Sequence, residues 1–556
     1  MEIFKPVKVE ALPVMDKEDK ITYLFMVVSG MIITSIFGIW WFLPSHIPNN
    51  FSGFSHIFDI IIFTLLSYIV WHQLIMEMVT WYLSFTMKIP KPLVPQAGLR
   101  VAFLTAFVPG KESYEMLAQT LKAMTEVDYP HDTWLLDEGD DLYAKAICYR
   151  YGVKHFSRKG TEKYNQPEGK FKAKTKGGNY NAWFDVYSNY YDIVAQHDVD
   201  FIPHKQFLTR TLGYFRDPEV AFVGTPQIYG NQDASWIVRG AAEQSFNFYG
   251  PIQKGLFGAG TQFFIGANHV VRVTAQKHIG GYSGHIVEDH LTGMRIYANK
   301  WKSVYVPEVL AIGEGPATWD AYFSQQMRWA YGIIDILFRH SPKILPKMKF
   351  KHALNYFLMQ QYYFTGIAQG IGVILLVLYF LFGIEATGIK IIELIILSAP
   401  LLVIQLMIFY YLQGFNIDPK NESGFFSKSK LLNFAAWPIY LTAFFSVLLN
   451  KRLTYKVTPK GSMEKGVTSF TLFIPHIVLG TLTIIGIIAS FFTGNQAPQL
   501  MFFAALNSVT MYFFMLMVIK EQLQAKINFR LLLSLLSINI FDFKPKELAY
   551  TQNVQN

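Results

Sequence analysis

The 556-residue sequence contains a single cysteine, Cys148, and few charges: Asp, Glu, Lys and Arg make up 16% of it. One cysteine excludes an internal disulfide and a cysteine-rich metal centre, and the ordinary place of such a residue is a buried apolar position. Soluble domains carry about 25% charged residues, so this shortage excludes an ordinary water-soluble globule, and the apolar content excludes a disordered chain. The N-terminus lacks the short apolar core and small-residue cleavage site of a signal peptide. Its first apolar run is too long for one and reads as a retained anchor. No internal repeat or low-complexity tract is present. Lys and Arg number 49 against 40 Asp and Glu, a net +9. In so apolar a chain, basic residues flanking membrane spans account for that excess, and no nucleic-acid partner is expected. Hydrophobic residues reach 51%, with 48 Phe, 31 Tyr and 11 Trp. Aromatics in this number suit a membrane interface and walls that stack on sugars.

Runs at 21–43 and 57–83 are each long enough to span a bilayer, which takes about 20 apolar residues. Further spans are expected at 363–383, 389–413, 467–492 and 497–519. The loops 44–56 and 493–499 contain no Lys or Arg. The loops 414–430 and 451–466 carry Lys420, Lys428, Lys430, Lys451, Arg452, Lys456, Lys460 and Lys465. Both basic loops are therefore expected on the cytoplasmic side. The apolar stretch between them, 431–450, then cannot cross once and reads as an interfacial or re-entrant helix. Aromatic and basic residues mixed over 319–362 suggest a helix lying in the membrane plane. The resulting division is 1–96 (cytosolic N-terminus and two spans), 97–340 (cytosolic domain), 341–520 (interfacial helices and four spans) and 521–556 (cytosolic tail). The expected location is the cell membrane, multi-pass, with the domain and both termini cytoplasmic.

Within 97–340 the pattern alternates between strand and helix. Val101–Val108 is a continuous apolar run, as in a buried parallel strand. Residues 113–125 read as an amphipathic helix, and Thr133–Leu136 as a strand ending in Asp137-Glu138-Gly139-Asp140-Asp141. Such βαβ alternation predicts an open parallel sheet, with ligands at the carboxyl ends of its strands. A second strand, Ile193–His197, ends in Asp198-Val199-Asp200. Two residues apart on an extended chain point the same way, so Asp198 and Asp200 can share a hard cation such as Mg²⁺ or Mn²⁺. Asp pairs at strand ends also cap turns. Lys176-Gly177-Gly178-Asn179 combines a phosphate-pairing amine with a backbone that a ligand can approach. Glu288-Asp289 follows the loop Gly280-Gly281-Tyr282-Ser283-Gly284 and is a candidate general base or, more plainly, the N-cap of the helix after it. Gln325, Arg328 and Trp329 share one helix face and offer an amide, a guanidinium and an aromatic plane.

In this order and spacing the motifs resemble those of the processive family 2 glycosyltransferases, with bacterial cellulose synthases and related β-glucan synthases as the nearest likeness. The matching segments are Asp137-Glu138-Gly139, Lys176 through Asn179, Asp198-Val199-Asp200, Val287-Glu288-Asp289 and Gln325 through Trp329. Tyr455-Lys456-Val457-Thr458-Pro459-Lys460-Gly461 resembles the family's gating loop. The resemblance implies an α/β GT-A domain with a Rossmann-like mixed sheet, inserted between transmembrane helices that form a polymer channel. It implies that Asp137 contacts the uracil, Lys176 and Asp198 the diphosphate, and Asp200 with Asp198 the metal. Asp289, next to Glu288, would be the base. Gln325, Arg328 and Trp329 would frame the acceptor and the pyrophosphate, with Phe264 and Gly266 lining the acceptor site. Tyr455, Val457, Thr458 and Lys460 would cover the UDP. The expected cofactor is Mg²⁺ or Mn²⁺. The expected partners are a UDP-sugar, a growing polysaccharide, the bilayer and accessory membrane or export subunits.

Departures bear on linkage and sugar. Glu138 and Val287 stand where the family carries Asp and Thr, and Ile265, Ala267 and Asn268 alter a segment that lines the acceptor site. The expected product is a β-glucan of 1,4, 1,3 or mixed linkage. The alternatives are a chitin- or hyaluronan-type synthase using UDP-N-acetylglucosamine, a non-processive lipid glycosyltransferase, and a transporter with a nucleotide-binding domain. No soluble domain of the cyclic-di-GMP receptor kind is expected after the last span.

Overall fold

The computed structural model describes residues 6–451, 453 and 470–538. The expected gating-loop residues Tyr455, Val457, Thr458 and Lys460 lie outside the described residues.

The domain within 97–340 is built on a seven-stranded sheet: β1 (Val101–Phe107), β2 (Asp132–Asp137), β3 (Lys154–Phe156), β4 (Ile193–Asp198), β5 (Val220–Gly224), β6 (His269–Arg272) and β7 (Lys302–Tyr305). Their spatial order is β7-β5-β6-β4-β1-β2-β3. Strand β6 runs antiparallel to β4 and β5, and the other pairings are parallel. The sheet is thus mixed and Rossmann-like. Helices cover both faces, which is why β1 is almost wholly apolar, β4 opens on Ile193-Val194-Ala195, and both are buried along most of their length. One apolar cluster gathers Leu104, Leu136, Trp183 and Val194 on one face. Another gathers Phe103, Leu121, Leu135 and Ala195 on the opposite face and includes Cys148, buried as the sequence suggests.

The helices between the strands start on side-chain caps. Ser113 caps the helix Tyr114–Thr125, and Asp141 caps Leu142–Tyr151, which ends on left-handed Gly152 (φ 67°). Thr175 caps α1 (Lys176–Tyr187), which runs into β4. Later helices are α2 (Trp236–Asn247), α3 (Glu288–Ala298) and α4 (Trp319–Asp335).

Outside this domain, seven helical stretches among the described residues are long and apolar enough to cross a membrane: Lys17–Trp41, Gly53–Phe85, Phe350–Phe382, Ile391–Gln413, Ser427–Leu448, Phe470–Thr493 and Pro498–Lys520. Thr365–Phe382 packs against His56–Phe85 and Ile474–Thr493, and Lys17–Trp41 packs against Ile391–Gln413. The sequence count was six, because it set 431–450 aside. That segment is α5 (Ser427–Leu448), and its neighbours include the catalytic domain. Glu243 on α2 accepts from the Ser429 amide (3.0 Å), Gln244 bonds Asn433 (2.8 Å), and Tyr440 donates to Gln326 on α4 (2.8 Å). Gly240 on α2 is pressed so close to Leu432 that a Cβ would lie 2.6 Å from its Cδ1. A second tie comes from buried Lys254, whose ammonium donates to the Phe415 carbonyl (2.7 Å) just past Ile391–Gln413.

One sequence expectation needs correction. The stretch 319–362 is not one in-plane helix. Its first part is α4, packed into the domain and against α5, and the later helix Phe350–Gln360 shows an exposed apolar edge, with Phe350 82% exposed. The last helix runs from Pro498 to Ile538, past residue 520.

Candidate active site

The three acid motifs converge on one end of the sheet, but their carboxylates are used differently. Asp137 ends β2 and is fully buried. Its Oδ1 accepts from the Gly139 amide (2.8 Å), and its Oδ2 accepts from the Asp141 amide (2.5 Å) and pairs with His155 (3.1 Å). It therefore shapes the turn after β2. Glu138 forms a two-pronged pair with Arg158, Nε to Oε2 at 2.9 Å and Nη2 to Oε1 at 2.5 Å. Arg158 is 1% exposed and also donates to the carbonyls of Tyr164, Lys172 and Thr175. One guanidinium thus organises the loop that leads into α1, and it needs the longer Glu at 138 as its counter-ion.

Lys176 opens α1. Its ammonium bonds Asp198 Oδ1 and the Gly266 carbonyl, each at 2.5 Å, and lies 3.9 Å from Glu288 Oε1. Burial alone would lower its pKa. The Asp198 charge, with Tyr180 and Glu288 behind it, outweighs burial and holds the ammonium well above its ordinary range. The glycines after it do a job that differs from the expected one. A Cβ on Gly177 would meet the Ser283 carbonyl at 2.2 Å, and one on Gly178 the Lys172 carbonyl at 2.1 Å. The pair admits two neighbouring loops rather than a ligand. Asn179 reaches the Leu136 carbonyl (3.3 Å) at the end of β2. Asn181 grips both backbone groups of Tyr282, donating at 2.8 Å and accepting at 2.8 Å.

That grip holds the loop before α3. Gly280 and Gly281 there have φ of 85° and 92°, a region that favours glycine. The Ser283 amide donates to Thr292 (3.0 Å), and Thr292 donates to the Glu288 carbonyl (2.5 Å). Glu288 and Asp289 form the first turn of α3, and Val287 is the residue at the cap, so Asp289 is not the N-cap. Asp289 Oδ1 accepts from the His290 amide (2.7 Å). Burial, and for Glu288 the adjacent Asp289 charge, raises the pKa of both carboxyls; Lys176 opposes the rise at both, and Arg328 opposes it at Asp289. The pair titrates as one unit above the ordinary carboxylate range.

Gly266 joins the two sides of this site. Its carbonyl accepts from Lys176, and a Cβ built on it would lie 3.0 Å from Asp289 Oδ2 and 3.7 Å from Glu288 Oε1. Gln325, Arg328 and Trp329 are partly exposed on α4. The same helix presses Gly332 against Val287, where a Cβ would come within 2.1 Å of Val287 Cγ2. The Phe264 side chain faces the core. It is 2% exposed and packs against Phe222 (4.8 Å between rings) and His269 (4.4 Å) in the core. The sequence pattern does not single out Arg158, Asn181 or Tyr282, because each is tied to residues far from it in the chain.

A mixed sheet with acid motifs at the ends of β2 and β4, and a carboxylate pair opposite, defines a GT-A type glycosyltransferase domain. Residues 193–415 match the family model for glycosyl transferase family group 2. Over part of its length the chain is thus similar to family 2 glycosyltransferases, and it is similar in sequence to cellulose synthases. It is 24% identical over 396 residues to the cellulose synthase catalytic subunit [UDP-forming] of Pseudomonas fluorescens (strain SBW25), covering 68% of this chain and 50% of that protein. Similarity to the corresponding protein of Xanthomonas axonopodis pv. citri (strain 306) is 26% over 276 residues, 47% of this chain and 36% of that one. For cellulose synthase 2 of Novacetimonas hansenii it is 25% over 260 residues, 45% and 16%. The chain thus spans half or less of the length of these curated relatives. A solved structure, the mannosyltransferase PcManGT from Pyrobaculum calidifontis in complex with GDP-Man and Mn²⁺, is similar over 70% of this chain and 100% of that one, at 14% identity and a TM-score of 0.48.

Proposed function

We propose that this multi-pass membrane protein polymerises glucose from UDP-glucose into a β-linked glucan and threads the product through its helical bundle. The observation that carries the reading is the position of Gly266, between the Lys176–Asp198 pair and the Glu288–Asp289 pair. A donor diphosphate held on one side and an acceptor hydroxyl on the other would then face each other across one residue. Similarity to cellulose synthases supports the glucan. The bonds from α5 to α2 and α4 support its placement along the membrane face next to the domain, and the basic loops on either side of it favour a cytoplasmic domain.

The chain's own groups would act as follows. Asp289 takes the proton from the attacking hydroxyl. Its raised pKa makes it a better base once ionised than an ordinary carboxylate. Direct attack at the anomeric carbon inverts it, which gives the β linkage. Lys176, and Arg328 from the side of Asp289, would offset the negative charge that grows on the leaving diphosphate. Trp329 offers a plane for the terminal sugar, and Gln325 a hydrogen bond. Asp198 and Asp200 present hard carboxylate oxygens at the end of β4, a donor set suited to Mg²⁺ or Mn²⁺. Such an ion, when bound, would supply charge neutralisation to the diphosphate. In this reading Asp137 supports the uracil site through the turn it shapes, and Tyr455, Val457, Thr458 and Lys460 cover the UDP.

The test is incubation of the detergent-held protein with radiolabelled UDP-glucose and Mg²⁺, followed by linkage-specific β-glucanases. Labelled polymer cut by one of these enzymes is the expected result. Product from UDP-N-acetylglucosamine alone would move the assignment to an amino-sugar polymer, and no product from either donor would overturn it.

A further inference from the structure

A chain of polar contacts runs from the loop carrying the base to the far end of α5. His285 sits two residues before Val287. Its Nδ1 accepts from the Val287 amide (3.2 Å), and its Nε2 meets Asp335 Oδ2 (3.0 Å) at the end of α4. Arg339 pairs with the other oxygen of Asp335. The same guanidinium donates to the Val447 carbonyl (2.8 Å) and to Asn450 Oδ1 (2.6 Å), where α5 ends. His340 stands edge-on to His285 at 5.5 Å.

His285, Asp335 and His340 place three potential ligand atoms within 4.8 Å of one another, the geometry of a metal site. Two contacts argue against one. The Val287 amide can only donate, so Nδ1 must present its lone pair and Nε2 must carry the hydrogen that goes to Asp335. A dication on Nε2 would need the opposite tautomer, and it would also have to compete with the Arg339 guanidinium for Asp335. Burial alone would raise the Asp335 pKa; the His285 hydrogen bond and the Arg339 charge outweigh it and hold the carboxyl below its ordinary range. These groups form a fully donated hydrogen-bond chain.

We propose that His285, Asp335 and Arg339 act as a positioning brace that fixes the base-bearing turn at Glu288–Asp289 relative to the end of α5, so that the membrane-proximal helix sets where the base sits. The three are positioning residues and need not touch substrate. The proposal rests on the reading of Asp289 as the base. Gly332, pressed on Val287 one turn before Asp335, gives the brace its apolar side.

His285 can be divided into its two halves. His285→Gln keeps a donor toward Asp335, whereas His285→Asn keeps an acceptor for the Val287 amide. The experiment measures UDP release from UDP-glucose by the detergent-held full chain, with UDP affinity measured separately. His285→Ala and Arg339→Ala should each lower kcat about tenfold, inside the ~100-fold that a 1 Å misplacement costs. UDP affinity should stay within about twofold. The double variant should be no slower than the worse single, because both act through Asp335. His285→Gln should recover most of the lost rate and His285→Asn should not. The brace is overturned if the double variant shows the product of the two losses, if Asn rather than Gln restores the rate, or if kcat is unchanged. Asp289→Asn is the control. If it turns over normally, the base assignment falls, while the coupling between His285 and Arg339 still decides the brace.

Discussion

The acid cluster after β2 and the acid pair opening α3 face the same site, yet the protein treats their charges in opposite ways. At Asp137 and Glu138 every carboxylate oxygen meets an N–H or a cation: the amides of 139 and 141, His155, and the fork of Arg158. Such partners occupy the carboxylate oxygens and commit them to shaping a loop. At Glu288 and Asp289 burial and mutual repulsion work against ionisation, and the cations Lys176 and Arg328 offset that only in part. Charge that is hard to keep is charge available to a proton. By this contrast the first motif is scaffold and the second is chemistry, although in sequence both are simply acids after an apolar run.

The strongest way to break the comparison is Asp289→Asn. A general base contributes roughly 10²- to 10⁴-fold, so turnover should fall by about that factor while UDP binding persists. Retained polymerisation by this variant would remove the chemical half of the contrast. Next in size is Arg158→Ala. It strands Glu138 and three carbonyls in a buried loop, and breaking such a buried pair costs about 3–5 kcal/mol. The expected readout is a large drop in Tm, with Glu138→Gln falling less. An unchanged Tm would mean that the first cluster is not scaffold.

Asp137→Asn sharpens the same point. The amide keeps one acceptor, but its NH₂ must face a backbone N–H, at about 1–3 kcal/mol. A scaffold role predicts lower thermal stability with UDP affinity changed only through the turn. Direct reading of uracil predicts weaker UDP binding at unchanged Tm.

Much of this was legible in the sequence, for a physical reason. Strands buried on both faces are rich in apolar residues, so β1 announces itself along its length and β4 by its Ile193-Val194-Ala195 start, and the acids that end β2 and β4 mark the carboxyl ends where ligands bind. What a side chain is used for is less legible. Gly177 and Gly178 read as a ligand approach because glycine reports close approach without naming what approaches; here it is the carbonyls of Ser283 and Lys172. Phe264 and Gly266 are two residues apart outside any strand, where alternation does not say which faces the site. Arg158 has four partner residues scattered from 138 to 175, and no periodicity links them. The span count depended on charge asymmetry, which speaks of loops; α5 is long and apolar enough to cross, and its bonds to α2 and α4 are contacts that only the fold supplies.

The finest prediction concerns pH. If Asp289 must be ionised to accept a proton, activity falls as pH drops through the pair's pKa, and that pKa lies above the ordinary carboxylate range because burial and repulsion favour the protonated form. Lys176 carries positive charge toward both carboxyls and favours their ionisation. Removing it, as in Lys176→Met, should push the pair's pKa higher and move the acid limb of the kcat profile to higher pH. The donor is held at saturation, because the same variant loses a diphosphate contact. A limb that stays in place in Lys176→Met would mean that the titrating group is not the pair beside Gly266. A limb that vanishes in Asp137→Asn would transfer the chemistry to the cluster after β2 and leave the pair on α3 as scaffold.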